Sequence, residues 1–284
     1  PKPRDDGLFS EAELPRPPSF NERDVSDKPS FVQERARLDR DEKRKLEHRY
    51  RCTLESLQEV DRGVGDIYRA LETVGEADNT LFVFTSDNGF FFGEHRLVGK
   101  SVPYEEALRV PFAVRLPRSL EVVTEQTRRV HKPVANVDLV PTILELAGAD
   151  PCLPDGNCRT LDGRSLTPLM RGEPGWPEDR AILLESRRND LDAEACRYSG
   201  LRTSQTVYVE HESVFDRRKG TCEQASEIER YDLQDDPFEL QNLSPAETST
   251  GGHNERELSR RLEALTTCAG IAGRDPDGAG AFCE

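Results

Sequence analysis

No apolar run in this sequence approaches the ~20 residues that a membrane-spanning helix needs, and mean hydropathy is −0.71. Basic residues are also in short supply. Lys and Arg number 39 against 54 Asp and Glu, a formal charge of −15, and the pI is about 4.9. That balance excludes generic, sequence-independent nucleic-acid binding, which needs a basic face to displace counterions. Neither a Cys-x-x-Cys nor a zinc-like Cys/His spacing occurs. Internal repeats are absent, and so is a leader with a basic n-region and an apolar h-region. The first residue is Pro1 rather than Met, which leaves a processed or truncated start open and the destination unread.

Seven cysteines are present: Cys52, Cys152, Cys158, Cys196, Cys222, Cys268 and Cys283. The last six permit many connectivities, of which the simplest is local: 152–158, 196–222 and 268–283. Without a zinc spacing, disulfides and an oxidising compartment are the better reading. Cys52 is the odd one, read as a buried free thiol on a helix.

Residues 1–45, broken by Pro15, Pro17, Pro18 and Pro29, read as an extended lead-in ending in a short helix near Phe31–Leu38. Leu54, Leu57, Val60, Val64, Ile67, Leu71 and Val74 then recur at helical spacing up to Gly75, predicting an amphipathic helix. The run Leu81-Phe82-Val83-Phe84-Thr85 predicts a strand buried on both faces, hence part of a parallel sheet. Val110–Leu116 predicts another strand, and Asp138 an N-cap for a helix through Ala147 ended by Gly148. This is α/β grammar over residues 46–172. Within 173–250, short strands are expected at Ala181–Glu185, Tyr198–Arg202, Val207–His211 and Ile228–Leu233, forming a small antiparallel sheet. Residues 251–284 read as a last helix, marked by Leu258, Leu262 and Leu265, and a stapled tail.

Chemistry concentrates after the first strand, in Ser86-Asp87-Asn88-Gly89, Gly93-Glu94-His95-Arg96 and Gly99-Lys100. The end of a buried strand is where open α/β sheets assemble their sites. Asp87 and Asn88 offer adjacent hard oxygen ligands suited to Ca²⁺ or Mg²⁺. His95, Arg96 and Lys100 gather cationic donors close by, which suits an anionic ester whose charge grows during transfer. Asp-Asn-Gly is also ordinary turn chemistry, and Gly-Glu-His alone is weak, so the residues by themselves leave both readings open. His48, His131, His211 and His253 read as surface or structural, and Arg217-Arg218-Lys219 as a hairpin tip.

The order Ser86-Asp87-Asn88-Gly89, Gly93-Glu94-His95, Lys100, Tyr104-Glu105-Glu106 and Arg109-Val110-Pro111 resembles the second signature region of the sulfatase family. Asn136–Thr142 is similar to the helix that follows in that family. Tyr231-Asp232-Leu233 with Asp236–Leu243 resembles the family's C-terminal sheet segment, and Ser19-Phe20-Asn21-Glu22 with Asp24–Pro29 resembles glucosamine-6-sulfatase-like and arylsulfatase members. The resemblance implies an alkaline-phosphatase-like α/β sandwich with a mainly parallel sheet, plus a small C-terminal antiparallel sheet with a helix. It implies Asp87 and Asn88 as calcium ligands (Mg²⁺ as the alternative) and Lys100 as the clamp on sulfate. It assigns His95 to catalysis and substrate binding, and Arg96 to substrate contact or to solvent.

Sulfatases use a formylglycine made from Cys (or Ser) within a Cys-x-Pro/Ala-x-Arg motif. Cys152-Leu153-Pro154-Asp155-Gly156 fails that pattern at Gly156 and lies downstream of the metal loop, so it reads as a disulfide loop instead. The paired aspartates of the first metal-binding strand are missing too, since Asp5-Asp6 sits in a proline-broken start. The sequence thus resembles the C-terminal half of a sulfatase, inactive alone, whose partners are the missing N-terminal half and a sulfated sugar or glycan. Two alternatives stay open: a phosphodiesterase or phosphonate hydrolase of the same superfamily, and a non-catalytic calcium- or glycan-binding fragment. The family's usual destinations are secreted, periplasmic or lysosomal.

Overall fold

The computed structural model describes residues 2–118, 129–152, 158–186, 196–244, 253–272, 274–275 and 281–283. After a proline-rich stretch that runs over the surface, a short helix α1 (Ser30–Gln33) precedes the long helix α2 (Arg40–Thr73). α2 starts where a capping box forms. The Asp39 side chain accepts the Asp41 and Glu42 amides, and the Glu42 side chain accepts the Asp39 amide at 2.8 Å. The helix therefore opens well before the apolar periodicity does, and its glycines Gly63 and Gly65 leave it unbroken.

Strand β1 (Phe82–Thr85) leads into the signature loop, which holds a two-stranded hairpin, β2 (Phe91–Phe92) and β3 (Val98–Gly99), and a short helix α3 (Glu105–Leu108). Strand β4 (Phe112–Arg115) returns beside β1 in antiparallel register, Phe82 opposite Arg115 and Thr85 opposite Phe112. The expected mainly parallel sheet is therefore corrected for this pair. The intervening loop doubles back rather than crossing over, so the two strands meet head to tail, and no described strands pair in parallel. The burial forecast fails too, since Phe84 is 39% exposed. The apolar stripe of α2 also lies open at Leu57, Val60 and Ile67, as does Val74 at its C-cap.

Helix α4 (Leu139–Ala147) ends at Gly148, which adopts φ 60° as a left-handed cap. Asp138 does not cap it with its side chain. Its carboxylate is buried, grips Arg180 at 2.6 and 2.7 Å and accepts the Ala135 amide, so it faces away from the first amides of α4. Helix α5 (Thr167–Arg171) leads to a four-stranded antiparallel sheet in sequential order: β5 (Ile182–Ser186), β6 (Tyr198–Arg202), β7 (Thr206–Asp216) and β8 (Thr221–Asp232). This agrees with the sequence reading, except that β7 and β8 extend outward to a tip at Arg217-Arg218-Lys219. Helix α6 (His253–Thr267) packs Leu262 onto Leu201 and Tyr208 of the sheet.

The main core cluster joins the lead-in (Val25, Phe31, Val32), the signature loop (Phe91, Leu97, Tyr104) and the C-terminal sheet (Val207, Val209, Tyr231). The loop is thus anchored from both sides. Disulfides link Cys152–Cys158, Cys196–Cys222 and Cys268–Cys283, the three local pairs expected. Leu153–Gly156 of the rejected nucleophile segment lie outside the described residues. Cys52 is free but only partly buried, its sulfur 3.7 Å from His48 Nε2 one helical turn away. No described helix is long and apolar enough to cross a membrane.

Candidate functional site

β1 delivers the chain to Ser86-Asp87-Asn88-Gly89, a tight turn held by its own polar groups. The Asp87 Oδ1 accepts the Asn88 amide at 2.9 Å, and the Ser86 hydroxyl donates to the Asn88 carbonyl at 3.0 Å. Gly89 then passes against α3, its amide donating to the Ala107 carbonyl at 2.9 Å. A Cβ there would stand 1.9 Å from the Glu106 carbonyl oxygen, so only glycine fits. Gly89→Ala is expected to push the turn off α3 and cost about 1–3 kcal/mol. A melting temperature unchanged from the parent would contradict that contact.

The β2–β3 hairpin brings Lys100 back over this turn, closing twelve residues of sequence into a contact. Its Nζ donates to Asn88 Oδ1 at 2.7 Å and stands 4.0 Å from Asp87 Oδ2. The Asp87 and Lys100 side chains are 83% and 51% exposed, so both present their charge at the surface. The structure therefore assembles three of the five residues singled out from sequence: a carboxylate, an amide oxygen and an ammonium on one open edge.

His95 and Arg96 are not part of that edge. Both take left-handed backbone, φ 49° and 60°, at the hairpin's bend after Gly93. The His95 side chain is fully buried, with Nδ1 2.7 Å from Glu22 Oε2 and its ring stacked on Tyr104 at 4.4 Å. No face of the ring reaches solvent in this chain. Arg96 spends its guanidinium on backbone. Nε, Nη1 and Nη2 donate to the carbonyls of Glu22, Arg35 and Arg23 at 2.9, 2.7 and 2.9 Å. Both residues bind the loop to the lead-in, which also pairs with it through the Asn21 amide on the Gly93 carbonyl and the His95 amide on the Ser19 carbonyl.

The loop and the C-terminal sheet also share a buried acidic network that residue-by-residue reading did not single out. Glu239 is fully buried, and desolvation pushes its carboxyl well above the usual range. It accepts the Glu105 amide at 2.8 Å, while Glu105 itself is gripped by Arg202 through two 3.0 Å bonds. Glu229 is also desolvated, yet donors from His211, Tyr104 and Tyr231 outweigh that penalty and hold its carboxyl below the ordinary value. Lys28, with a fully buried side chain, donates to the Leu240 carbonyl at 2.6 Å and stands 3.5 Å from Glu22. The available signal lay in the Ser19–Pro29 and Asp236–Leu243 segments, whose polar residues had no surface role to explain them.

Comparison with known proteins places this geometry in context. A family model described as "Sulfatase" matches residues 16–149, and one described as "N-sulphoglucosamine sulphohydrolase, C-terminal" matches residues 93–267. An arylsulfatase of Volvox carteri is 32% identical, over 97% of this chain and 44% of its own length. An N-acetylglucosamine-6-O-sulfatase of Bacteroides thetaiotaomicron is 30% identical over 82% of this chain and 38% of its own. The human N-acetylglucosamine-6-sulfatase is 28% identical over 81% and 43%. The chain thus spans less than half the length of these relatives. A protein solved in complex with its substrate D-glucosamine-2-N,6-O-disulfate superposes with a TM-score of 0.64 at 23% identity, covering 93% of this chain and 61% of that one. The phosphonate monoester hydrolase of Agrobacterium radiobacter gives 0.58 at 24% identity, over 78% and 42%. Such likenesses speak for a shared alkaline-phosphatase-like α/β fold.

Proposed function

The chain belongs to the sulfatase family, and on that premise we propose that it forms the metal- and sulfate-binding edge of a sulfuric ester hydrolase acting on sulfated sugars or glycans. The observation that carries this reading is Lys100 Nζ seated on Asn88 Oδ1 beside the exposed Asp87 carboxylate. Two hard oxygens on consecutive residues suit Ca²⁺, with Mg²⁺ second, and each retains acceptor capacity beyond the bonds it makes here. Calcium takes about six to eight oxygens, so Asp87 and Asn88 would hold one side of the ion and the remaining ligands come from outside this chain. A bound cation there lowers the cost of negative charge on a sulfate ester. Lys100 binds a sulfate oxygen and stabilises charge passing to the leaving oxygen. His95 and Arg96 serve by fixing the hairpin that carries Lys100.

The covalent chemistry that formylglycine supplies in this family needs a Cys-x-Pro/Ala-x-Arg motif, which none of the seven cysteines satisfies. The nucleophile is therefore assigned to sequence outside these 284 residues. The sugar assignment is supported by the relatives named for N-acetylglucosamine 6-sulfate. Three disulfides favour an oxidising destination: secreted, periplasmic or lysosomal. A Drosophila melanogaster relative, 36% identical over 49% of this chain and 12% of its own length, is named an extracellular sulfatase homologue.

The test is to assay the complete protein on glucosamine 6-sulfate, an aryl sulfate and a phosphonate monoester. Sulfate turnover that falls on calcium chelation and returns with Ca²⁺ is expected, with no turnover by this chain alone. Faster phosphonate than sulfate hydrolysis would overturn the proposal in favour of the phospho-ester reading. Calcium or glycan binding without any turnover would favour a non-catalytic module.

A further inference from the structure

Three buried polar atoms in the acidic network face one another without a hydrogen-bond partner: His95 Nε2, Glu106 Oε2 and Glu239 Oε1. They lie within 4.8 Å of one another, and the His95 and Glu239 side chains are fully buried. Leaving such atoms unsatisfied costs about 1–3 kcal/mol each. The rest of each group is accounted for. Glu106 Oε1 accepts the Ser19 hydroxyl at 3.1 Å, and Glu239 Oε2 accepts the Glu105 amide. His95 Nδ1 faces the Glu22 carboxylate at 2.7 Å, which orients the ring so that Nε2 points toward the Glu106 and Glu239 side chains. Nearby cations are committed elsewhere, Lys28 to Leu240, Asp27 and Glu22, and Arg202 to Glu105.

An imidazole oriented by a carboxylate on one nitrogen, with its other nitrogen aimed at two carboxylate oxygens, is the donor set of a borderline divalent cation. We propose that His95, Glu106 and Glu239 form a second, structural metal site for a zinc-class divalent ion, separate from the Asp87–Asn88 edge. The ion balances the acidic excess and satisfies all three orphaned atoms at once. It ties together the hairpin bend, the start of α3 and the Asp236–Leu243 segment, with the lead-in's Glu22 behind the imidazole. Access is available through Glu106, whose side chain is 20% exposed. The site stands whether or not the protein hydrolyses sulfate, because it rests on side-chain geometry alone.

The experiment uses the complete protein in a Cys52→Ser background, which removes the thiol beside His48 as a competing zinc ligand. Metal-stripped protein is titrated with Zn²⁺ and, in parallel, with Co²⁺ read by its visible ligand-field bands. One equivalent of Zn²⁺ is expected, raising the melting temperature, with a low-symmetry Co²⁺ spectrum that Zn²⁺ bleaches. Glu239→Gln keeps the acceptor for the Glu105 amide and is expected to weaken Zn²⁺ binding by ~100-fold. Asp87→Asn is expected to leave that affinity unchanged, which separates this site from the calcium edge. Should Glu239→Gln fail to fold, the parent protein's Co²⁺ spectrum and its loss of melting temperature on chelation decide the matter. Absence of stoichiometric Zn²⁺, a Co²⁺ spectrum identical to the aquo ion, or unaltered affinity in folded Glu239→Gln would overturn the proposal. The convergent atoms would then be sharing a proton or a water.

Discussion

Lys100→Ala is expected to lower kcat of the complete enzyme on a sugar sulfate by about 10²–10³-fold, the usual consequence of deleting one donor from a site of developing charge. The ammonium reaches the edge from a hairpin end and is 51% exposed, so its removal takes away no core packing. Its 2.7 Å bond to Asn88 Oδ1 holds it beside the putting-together of amide and carboxylate oxygens at the end of β1. A substrate sulfate that replaces or shares this bond meets a positive charge already in position, with little reorganisation left for the reaction itself. Because that charge matters most when the leaving oxygen becomes anionic, kcat should fall further than KM rises. Lys100→Arg should recover part of the loss, since the charge is kept but its point geometry is not. Steady-state kinetics with a parallel melting curve check both variants. Unchanged kcat in a folded Lys100→Ala protein would remove Lys100 from the reaction.

The contrast between Lys100 and His95 shows what a sequence exposes and what it conceals. That Asp87, Asn88 and Lys100 meet is legible from local order, since a β-prone run ends, a turn follows and a short hairpin returns a cation, whereas their proposed roles rest on the family resemblance. His95 sits in the same motif, but its environment is set by Glu22, Glu106 and Glu239, residues contributed by three separate segments. Periodicity within one segment carries no information about such convergence. The same holds for β1 and β4. Their composition predicts strands, while their antiparallel register follows from how the loop between them doubles back. Cysteine pairing was readable because each pair closes a local loop, and the four C-terminal strands because antiparallel neighbours are also sequence neighbours.

The stripe Leu57, Val60 and Ile67 on α2, continued by Val74 at its C-cap, and separately Val140 and Ile143 on α4, carry the opposite lesson. Its helical spacing correctly announces amphipathic helices, yet these side chains lie open in this chain. Isolated exposed apolar residues are ordinary, but a row of them at helical spacing along one helix has the composition of a core surface. The chain spans less than half the length of the Volvox carteri and Bacteroides thetaiotaomicron relatives, so the proposal that it works as part of a larger enzyme also accounts for these exposed residues.

Asp138→Ala is expected to destabilise the protein by about 3–5 kcal/mol, the cost of breaking a buried ion pair from one side. Asp138 is fully buried and Arg180 is only 4% exposed. The carboxylate accepts both guanidinium nitrogens, the Ala135 amide at 2.8 Å and the Arg164 amide at 2.9 Å. Its backbone carbonyl accepts the Thr142 hydroxyl, which in turn accepts the Leu166 amide at 2.8 Å. One residue thereby fastens the start of α4 to the approach of α5 and to the strand β5 that opens the C-terminal sheet. Alanine removes the bidentate carboxylate from a guanidinium that stays buried over the Trp176 ring, and strips two backbone donors as well. Asp138→Asn keeps the shape and some of the acceptors, so its cost should be smaller. The double variant Asp138→Ala/Arg180→Ala should be less destabilised than the sum of its parts, because the two residues act as one unit. Denaturant unfolding of the parent, both single variants and the double variant measures that coupling. A cost below about 1 kcal/mol for Asp138→Ala, the range of exposed pairs, would show that this bridge does not hold the two parts of the chain together.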